Sequence, residues 1–213
     1  MRPRVTIVDY GLGNLYSISQ ALAHVGGEVD LTATPERIAA ADRLVLPGVG
    51  AFGDGITAIA NLGLVEPIKE FAARQRPMLG ICLGMQLMFE ESEEFGRWAG
   101  LGLFSGRVVP VPRRGADGRP HKVPHIGWNG LIPSGSAVWD GTILQGIEVE
   151  SEVYFVHSFV ASPVSSDICL AHADYDGCVL TAVAGRGPLF GCQFHPEKSG
   201  NVGLQILRDF LAI

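Results

Sequence analysis

Short apolar runs alternate with one-sided amphipathic stretches through the first part of the chain. Val5-Thr6-Ile7-Val8-Asp9 reads as a strand and Tyr10-Gly11-Leu12-Gly13 as a tight glycine-rich turn. Asn14 can then cap a helix in which Leu15, Ile18, Leu22 and Val25 share one face. Gly26-Gly27 ends that helix, residues 28–32 form the next strand, and Thr34-Pro35-Glu36 opens a short helix. Arg43-Leu44-Val45-Leu46 is a third strand running into Pro47-Gly48-Val49-Gly50. Helical stretches near 54–62 and 65–74 precede a fourth apolar run, Pro77-Met78-Leu79-Gly80-Ile81, and residues 83–90 read as helix again. Strand–helix alternation of this kind predicts a parallel sheet covered by helices on both faces.

Past residue 91 the spacing shortens. Residues 107–111, 153–160, 167–172, 179–184 and 189–194 read as short strands separated by turns, which predicts antiparallel additions. Ser199-Gly200-Asn201 starts a final helix carrying Val202, Leu204, Ile206, Leu207, Phe210 and Leu211. The expected fold is therefore α/β: a mostly parallel central sheet covered by helices on both faces, with antiparallel additions in the C-terminal half. With 213 residues, 47% of them hydrophobic, and no repeats or linkers, one domain over residues 1–213 is expected.

Composition narrows the function classes. No apolar run approaches the roughly 20 residues needed to span a bilayer. Met1-Arg2-Pro3-Arg4 leads straight into the first strand without the pattern of a signal peptide, so a cytoplasmic protein off the membrane is expected. Cys82, Cys169, Cys178 and Cys192 make no CxxC pair; reduced cysteines are expected, with no zinc or other metal site. A net charge of −6 argues against nucleic acid as a partner. Arg113, Arg114, Arg119, His121 and Lys122 read most simply as a solvated loop, with a patch for an anionic ligand as the weaker alternative. The Tyr10–Gly13 turn lacks the third glycine of a dinucleotide fingerprint.

The candidate chemistry centres on Gly80-Ile81-Cys82-Leu83-Gly84, a cysteine between glycines where an apolar strand meets a helix. A side chain on such an elbow is held exposed in strained geometry, the arrangement of nucleophile-bearing hydrolase turns. The helix start behind Cys82 should favour its thiolate and offer free N–H groups to an oxyanion. The plain alternative is a small buried core cysteine. Phe194-His195-Pro196-Glu197 tips the balance: a cysteine nucleophile needs a base, and the base needs an orienting group. His195 and Glu197, two apart at an extended strand end, could project to one side, with Pro196 stiffening the spacing. These residues make a Cys82–His195–Glu197 triad the expected centre.

Gly80-Ile81-Cys82-Leu83-Gly84-Met85-Gln86 together with His195-Pro196-Glu197 resembles the class I, triad-type glutamine amidotransferases. Residues 9–15, Leu46-Pro47-Gly48-Val49-Gly50-Ala51-Phe52, Pro124-His125-Ile126-Gly127-Trp128-Asn129, Tyr154-Phe155-Val156-His157-Ser158-Phe159 and residues 193–199 are similar to the glutaminase subunits of imidazole glycerol phosphate synthases. The likeness spans nearly the whole chain, and the block 124–129 separates this subgroup best.

The resemblance implies that glutamine is the substrate and is hydrolysed to glutamate and ammonia without a cofactor. Cys82 would attack, His195 move protons and Glu197 orient it. The Leu83 N–H would be one oxyanion donor, and Val49 or Gly50 the other after a peptide reorientation. Gly84 would let substrate approach the helix backbone, while Gln86, His157, Ser158 and Phe159 would contact the glutamine head group. Strand alternation argues against His157 and Ser158 both facing it.

The implied partner is a (β/α)8-barrel cyclase in a heterodimer, with Asn14, Trp128 and Lys198 near the docking face. Activity alone would be weak until cyclase and its nucleotide bind. The loop 113–120 is longer than this pattern leads one to expect, and Arg186-Gly187 stands at an unexpected turn. A free-standing γ-glutamyl hydrolase, or the glutaminase of a different synthase, is the alternative.

Overall fold

The computed structural model describes residues 2–213. The first part of the chain builds β1 (Arg4–Val8), α1 (Leu15–His24), β2 (Glu28–Thr32), α2 (Pro35–Ala40), β3 (Leu44–Leu46), α3 (Phe52–Asn61), α4 (Val65–Ala73), β4 (Met78–Ile81) and α5 (Leu83–Leu87). There follow β5 (Phe89–Ser92), β6 (Trp98–Ala99), β7 (Phe104–Pro110), β8 (His125–Gly130), β9 (Ile132–Pro133), β10 (Glu152–His157) and β11 (Phe159–Pro163). The last elements are β12 (Cys169–Tyr175), β13 (Cys178–Arg186), β14 (Leu189–Cys192) and α6 (Gly200–Ala212).

The main sheet runs β2-β1-β3-β4-β14-β13-β12-β9. Its first five strands are parallel to one another, and β13, β12 and β9 extend it antiparallel. Its inner strands are apolar on both faces, as a sheet covered twice requires. One face packs Ile7, Val45, Leu79 and Phe190 under α1 and α6. The other packs Leu44, Leu46 and Met78 under Ile38, Ile59, Ile68 and Phe71 of α2, α3 and α4. This is the expected α/β architecture. No helix of the described residues is long and apolar enough to cross a membrane.

Besides the short strands β6 and β9, which the sequence reading did not expect, three differences stand out. The helix after Cys82 stops at Leu87 instead of continuing to residue 90. Leu101 N–H binds the Leu87 carbonyl at 2.8 Å, and Leu103 and Phe104 N–H both bind that of Met88. With those carbonyls taken, Phe89 pairs opposite Phe104 as a strand, their rings 5.5 Å apart. The single strand expected over 153–160 is two, broken at Ser158: β10 pairs with β8, whereas β11 pairs with β7 in another sheet. Residues 125–130 form a strand that periodicity did not indicate, because its glycines and half-exposed positions hide the alternation.

Strand order positions the site. β4 lies between β3 and β14, all three parallel, with Leu46 opposite Gly80 and Cys192 opposite Ile81. Their carboxyl ends therefore deliver the Pro47–Gly50 loop, Cys82 and the segment 193–197 to one place, where ligands bind in such sheets.

Candidate active site

Cys82 follows the last residue of β4 with φ +53° and ψ −110°, a conformation unusual for a side-chain-bearing residue. Two backbone bonds over-determine it: its N–H donates to Cys192 O at 2.7 Å, and its carbonyl accepts from Gln86 N at 3.1 Å. Gly84 departs from its expected role. It does not line the cavity over Cys82; a Cβ there would sit 1.7 Å from the Leu46 carbonyl oxygen. The glycine lets α5 lie against the end of β3. With five residues, α5 has too little aligned backbone to supply a full macrodipole, so support for a thiolate falls to neighbouring side chains.

His195 and Glu197 come together, but not on an extended strand end. β14 stops at Cys192, and Pro196–Lys198 makes one 3-10 turn, closed by Lys198 N–H on the His195 carbonyl at 3.0 Å. The Ser199 hydroxyl also donates to that carbonyl, at 2.7 Å. The turn swings Glu197 Oε1 to 2.8 Å from His195 Nδ1, both side chains 3% exposed. Burial alone would lower the His195 pKa. Hydrogen bonds to Cys82 and Glu197, and their negative charges, overcome it and raise the pKa to about 9. Glu197 thus holds the ring by Nδ1, and His195 and Cys82 line one cavity.

A cavity of about 350 Å³ opens over the sulfur, ample for an amino-acid side chain. Val49, Gly50, Cys82, Leu83, Gln86, His157, Ser158, Phe159 and His195 line it. The break at Ser158 is why His157 and Ser158 both reach it despite strand alternation. His157 is neutral: burial lowers its pKa to about 3 against the bond from Nδ1 to Phe159 O, with the charges of His125 and His195 adding to the lowering. Gln86 uses its amide nitrogen twice, on Phe159 O at 2.9 Å and on Gln193 Oε1 at 3.0 Å, which leaves its own oxygen for a ligand.

The loop after β3 is held by Tyr10, whose buried hydroxyl donates to Pro47 O at 2.6 Å. Burial, reinforced by the charge of Cys82, pushes the Tyr10 pKa well up, so it remains a donor. Gly50 has φ +107°, open to glycine and strained for other residues.

Two residues at this site were not singled out from sequence. Glu94, 8% exposed, lines the cavity and accepts from Phe52 N at 2.6 Å. Burial raises its pKa, opposed by that bond and reinforced by Asp54. Its carboxylate gives the cavity one acidic wall suited to an ammonium group. Gln193, fully buried, points Nε2 at Cys82 Sγ from 3.7 Å. Glu94 carries no local signal; Gln193 falls within the block 193–199, but its place on the sulfur comes from pairing between distant segments.

Asn14, Trp128 and Lys198 lie outside this cavity. Asn14 caps α1 by accepting from Ser17 N at 3.2 Å and lines a small void of about 10 Å³ beside Glu197, whose buried Oε2 has no protein partner. Trp128 is 50% exposed on β8, edge-on to Tyr154, and Lys198 is exposed on the 3-10 turn that carries Glu197. The basic loop folds on itself: Arg114 donates to Gly118 O at 2.7 Å, and His121 sits 3.2 Å from Asp176. Arg186 donates to Leu103 O at 2.6 Å, tying its unexpected turn to the neighbouring loop. Cys169 and Cys178 are half-buried and Cys192 is buried; all four cysteines are free. Among the described residues no group of three or more His, Cys, Asp or Glu side chains is placed to hold a metal ion.

The family pattern described as glutamine amidotransferase class-I matches residues 6–213. The chain is 53% identical over 210 residues to the imidazole glycerol phosphate synthase subunit HisH 1 of Legionella pneumophila (strain Lens), covering 98% of this chain and 99% of that one. It is 48% identical to subunit HisH of Geobacillus kaustophilus, over 98% and 96% of the two chains. Among solved structures, PurLQS from Thermotoga maritima aligns with a TM-score of 0.75 at 19% identity, covering 100% of this chain and 99% of that one. A putative GMP synthase protein from Thermoplasma acidophilum aligns with a TM-score of 0.69 at 20% identity, covering 100% and 94%. At those identities the two structures speak to the fold alone.

Proposed function

The chain belongs to the class I glutamine amidotransferases, among the HisH subunits of imidazole glycerol phosphate synthase, and from that membership we propose that it releases ammonia from glutamine at Cys82 for a cyclase subunit. The observation that carries this reading is the convergence of Cys82, His195 and Glu197 under one amino-acid-sized cavity. Cys82 gives its proton to His195, and its sulfur attacks the side-chain amide carbon, forming the S–C bond while the carbonyl pair moves onto oxygen. The Leu83 N–H, free at the first turn of α5, and an N–H of Val49 or Gly50 receive that oxyanion. On collapse the C–N bond breaks, and the His195 proton goes to the departing nitrogen, which leaves as ammonia. Water then adds to the thioester, giving its proton to His195; the C–S bond breaks and glutamate leaves. Gln86, Ser158 and Phe159 hold the head group, and Glu94 supplies the acidic wall for its α-ammonium.

Ammonia free in water would be protonated and lost, which supports a (β/α)8-barrel cyclase as the receiving partner, with Asn14, Trp128 and Lys198 near the proposed docking face. Glutamate release should be low for the chain alone and rise by orders of magnitude with cyclase and its ribonucleotide ligand. Equal release in both conditions would sink the coupling, and none in either would sink the assignment to this synthase.

Glu197→Gln tests the orienting role. It removes one of the two groups that raise His195, so glutaminase activity should fall by about 10²–10⁴ without vanishing. A folded-state pKa raised to about 9 also gives stability that is complete below the ordinary value of 6.5 and lost as pH rises through about 9. The variant should flatten that loss in thermal unfolding followed from pH 6 to 10. An unchanged rate and an unchanged pH profile would remove Glu197 from the mechanism.

A further inference from the structure

We propose that Gln193 is a fourth catalytic residue, an amide donor locked onto the Cys82 sulfur by a one-directional hydrogen-bond chain that starts at the Phe159 carbonyl. The proposal rests on Cys82 being the nucleophile and adds to the triad a group that touches the reacting atom.

The direction of the chain follows from donor and acceptor arithmetic. A backbone carbonyl can only accept, so the Gln86 amide must turn its nitrogen toward Phe159 O, 2.9 Å away. The second hydrogen of that nitrogen then meets Gln193 at 3.0 Å and requires an oxygen there. With Oε1 so engaged, Gln193 has only its NH₂ to turn toward Cys82, 3.7 Å from Sγ. Reversing the Gln193 amide would set two NH₂ groups face to face and a carbonyl oxygen against sulfur lone pairs, losing both bonds at once. Gln193 is fully buried, so water cannot take the place of either of its partners. Phe159 O is itself fixed at the break between β10 and β11, where it also accepts from His157 Nδ1 at 2.9 Å.

A donor pinned to sulfur favours the charged form over the neutral thiol. It acts twice in the cycle. Once the sulfur has lost its proton to His195, it stabilises the thiolate opposite the imidazolium, supplying what the five-residue α5 is too short to give. When the thioester is hydrolysed and the C–S bond breaks, the electron pair returns to sulfur, and the Gln193 N–H is already in place to receive that charge. His195 faces the sulfur as the proton carrier, so the two groups divide the work: one moves the proton and the other holds the charge left behind.

Two variants of similar shape isolate the donor. Gln193→Met removes it, and Gln193→Glu replaces it with an acceptor. The readout is the alkylation rate of Cys82 by iodoacetamide at pH 7, followed on the Cys82 peptide by mass spectrometry, with half-buried Cys178 as the internal reference. This measurement uses no glutamine, so it fails or succeeds independently of the substrate assignment. Both variants should slow Cys82 alkylation roughly four- to twelvefold, because the loss of thiolate on removing a hydrogen bond to a charged group is about half offset, on the logarithmic scale, by the higher nucleophilicity of a more basic sulfur, while Cys178 is unaffected. Gln86→Met, which unlocks the orientation but leaves the donor, should slow it less and covers the case in which the Gln193 variants do not fold. Folded Gln193 variants that alkylate Cys82 at the wild-type rate would overturn the proposal. So would an unchanged rate in Gln86→Met if only that variant folds.

Discussion

Cys82→Ala should reduce glutamine hydrolysis to background, a loss of about 10⁴–10⁶ in turnover, because removing the nucleophile of a triad removes the covalent route altogether. His195 and Glu197 would remain hydrogen-bonded at 2.8 Å, but without the sulfur there is nothing to form the thioester. The fold should survive. Alanine is smaller than cysteine, and the conformation at φ +53° is imposed by the bonds of its N–H to Cys192 O and of Gln86 N to its carbonyl, which the substitution keeps. The discriminating measurement pairs glutamate release with the synthase reaction run on added ammonium salt. The variant complex should fail the first and perform the second. Retained glutaminase activity would mean that another residue attacks, and loss of both would mean that the substitution damaged folding or docking.

The same geometry explains why the three functional segments can be far apart in sequence and yet rigid in space. Leu46, Ile81 and Cys192 end three adjacent parallel strands, each buried on both faces. Every group around the sulfur is thereby anchored within a few residues of the sheet: the Pro47–Gly50 loop by Tyr10 on Pro47 O, His195 by its N–H on Tyr154 O at 3.0 Å, and Gln193 by its N–H on Ala182 O at 2.9 Å. Movement is left mainly to Val49 and Gly50, both exposed at the tip of the loop. Under the proposed mechanism, a partner that presses on that tip turns one proposed oxyanion donor toward or away from the cavity without disturbing Cys82, His195 or Glu197. Such a donor contributes about 2.7–4 kcal/mol to the transition state, enough for a large activation from a small motion.

The parts of this arrangement that are local in sequence are legible in it. The βα alternation before Cys82, the elbow and the His195–Glu197 spacing each depend on neighbours within a few residues. What is not legible depends on pairing. The end of α5 at Leu87 is set by residues 101–104, which take the carbonyls of Leu87 and Met88. The break at Ser158 is set by two different partner strands, β8 and β7, and it alone lets His157 and Ser158 share a cavity. Glu94 carries no pattern of its own, and only the folded sheets bring it and Gln193 to Cys82. Gly84 shows a need without its reason: the elbow pattern demands a small residue there, but a backbone carbonyl, not substrate, lies against it.

That difference in reason gives Gly84→Ala its force. A Cβ at this position would lie 1.7 Å from Leu46 O, 2.7 Å from Leu46 C and 3.3 Å from Pro47 C, all backbone atoms at the end of β3. Neither side can yield cheaply. Leu46 is paired with Gly80 of β4 at the end of a buried strand, and α5 is held by the buried side chains of Leu83, Met85 and Leu87. Overpacking in a tight core typically costs about 1–3 kcal/mol, and contact with immovable backbone belongs at or above the top of that range. For a chain of this size roughly 3 kcal/mol lowers the melting temperature by about 6–12 °C. Thermal unfolding of the purified variant should show that drop. Any protein that folds should also have lost most of its glutaminase activity, since relief of the clash displaces Pro47 and the oxyanion loop behind it. A variant that melts like the wild type and shows only a raised KM for glutamine would restore the other reading, in which the glycine makes room for substrate and the close approach to Leu46 has no energetic consequence.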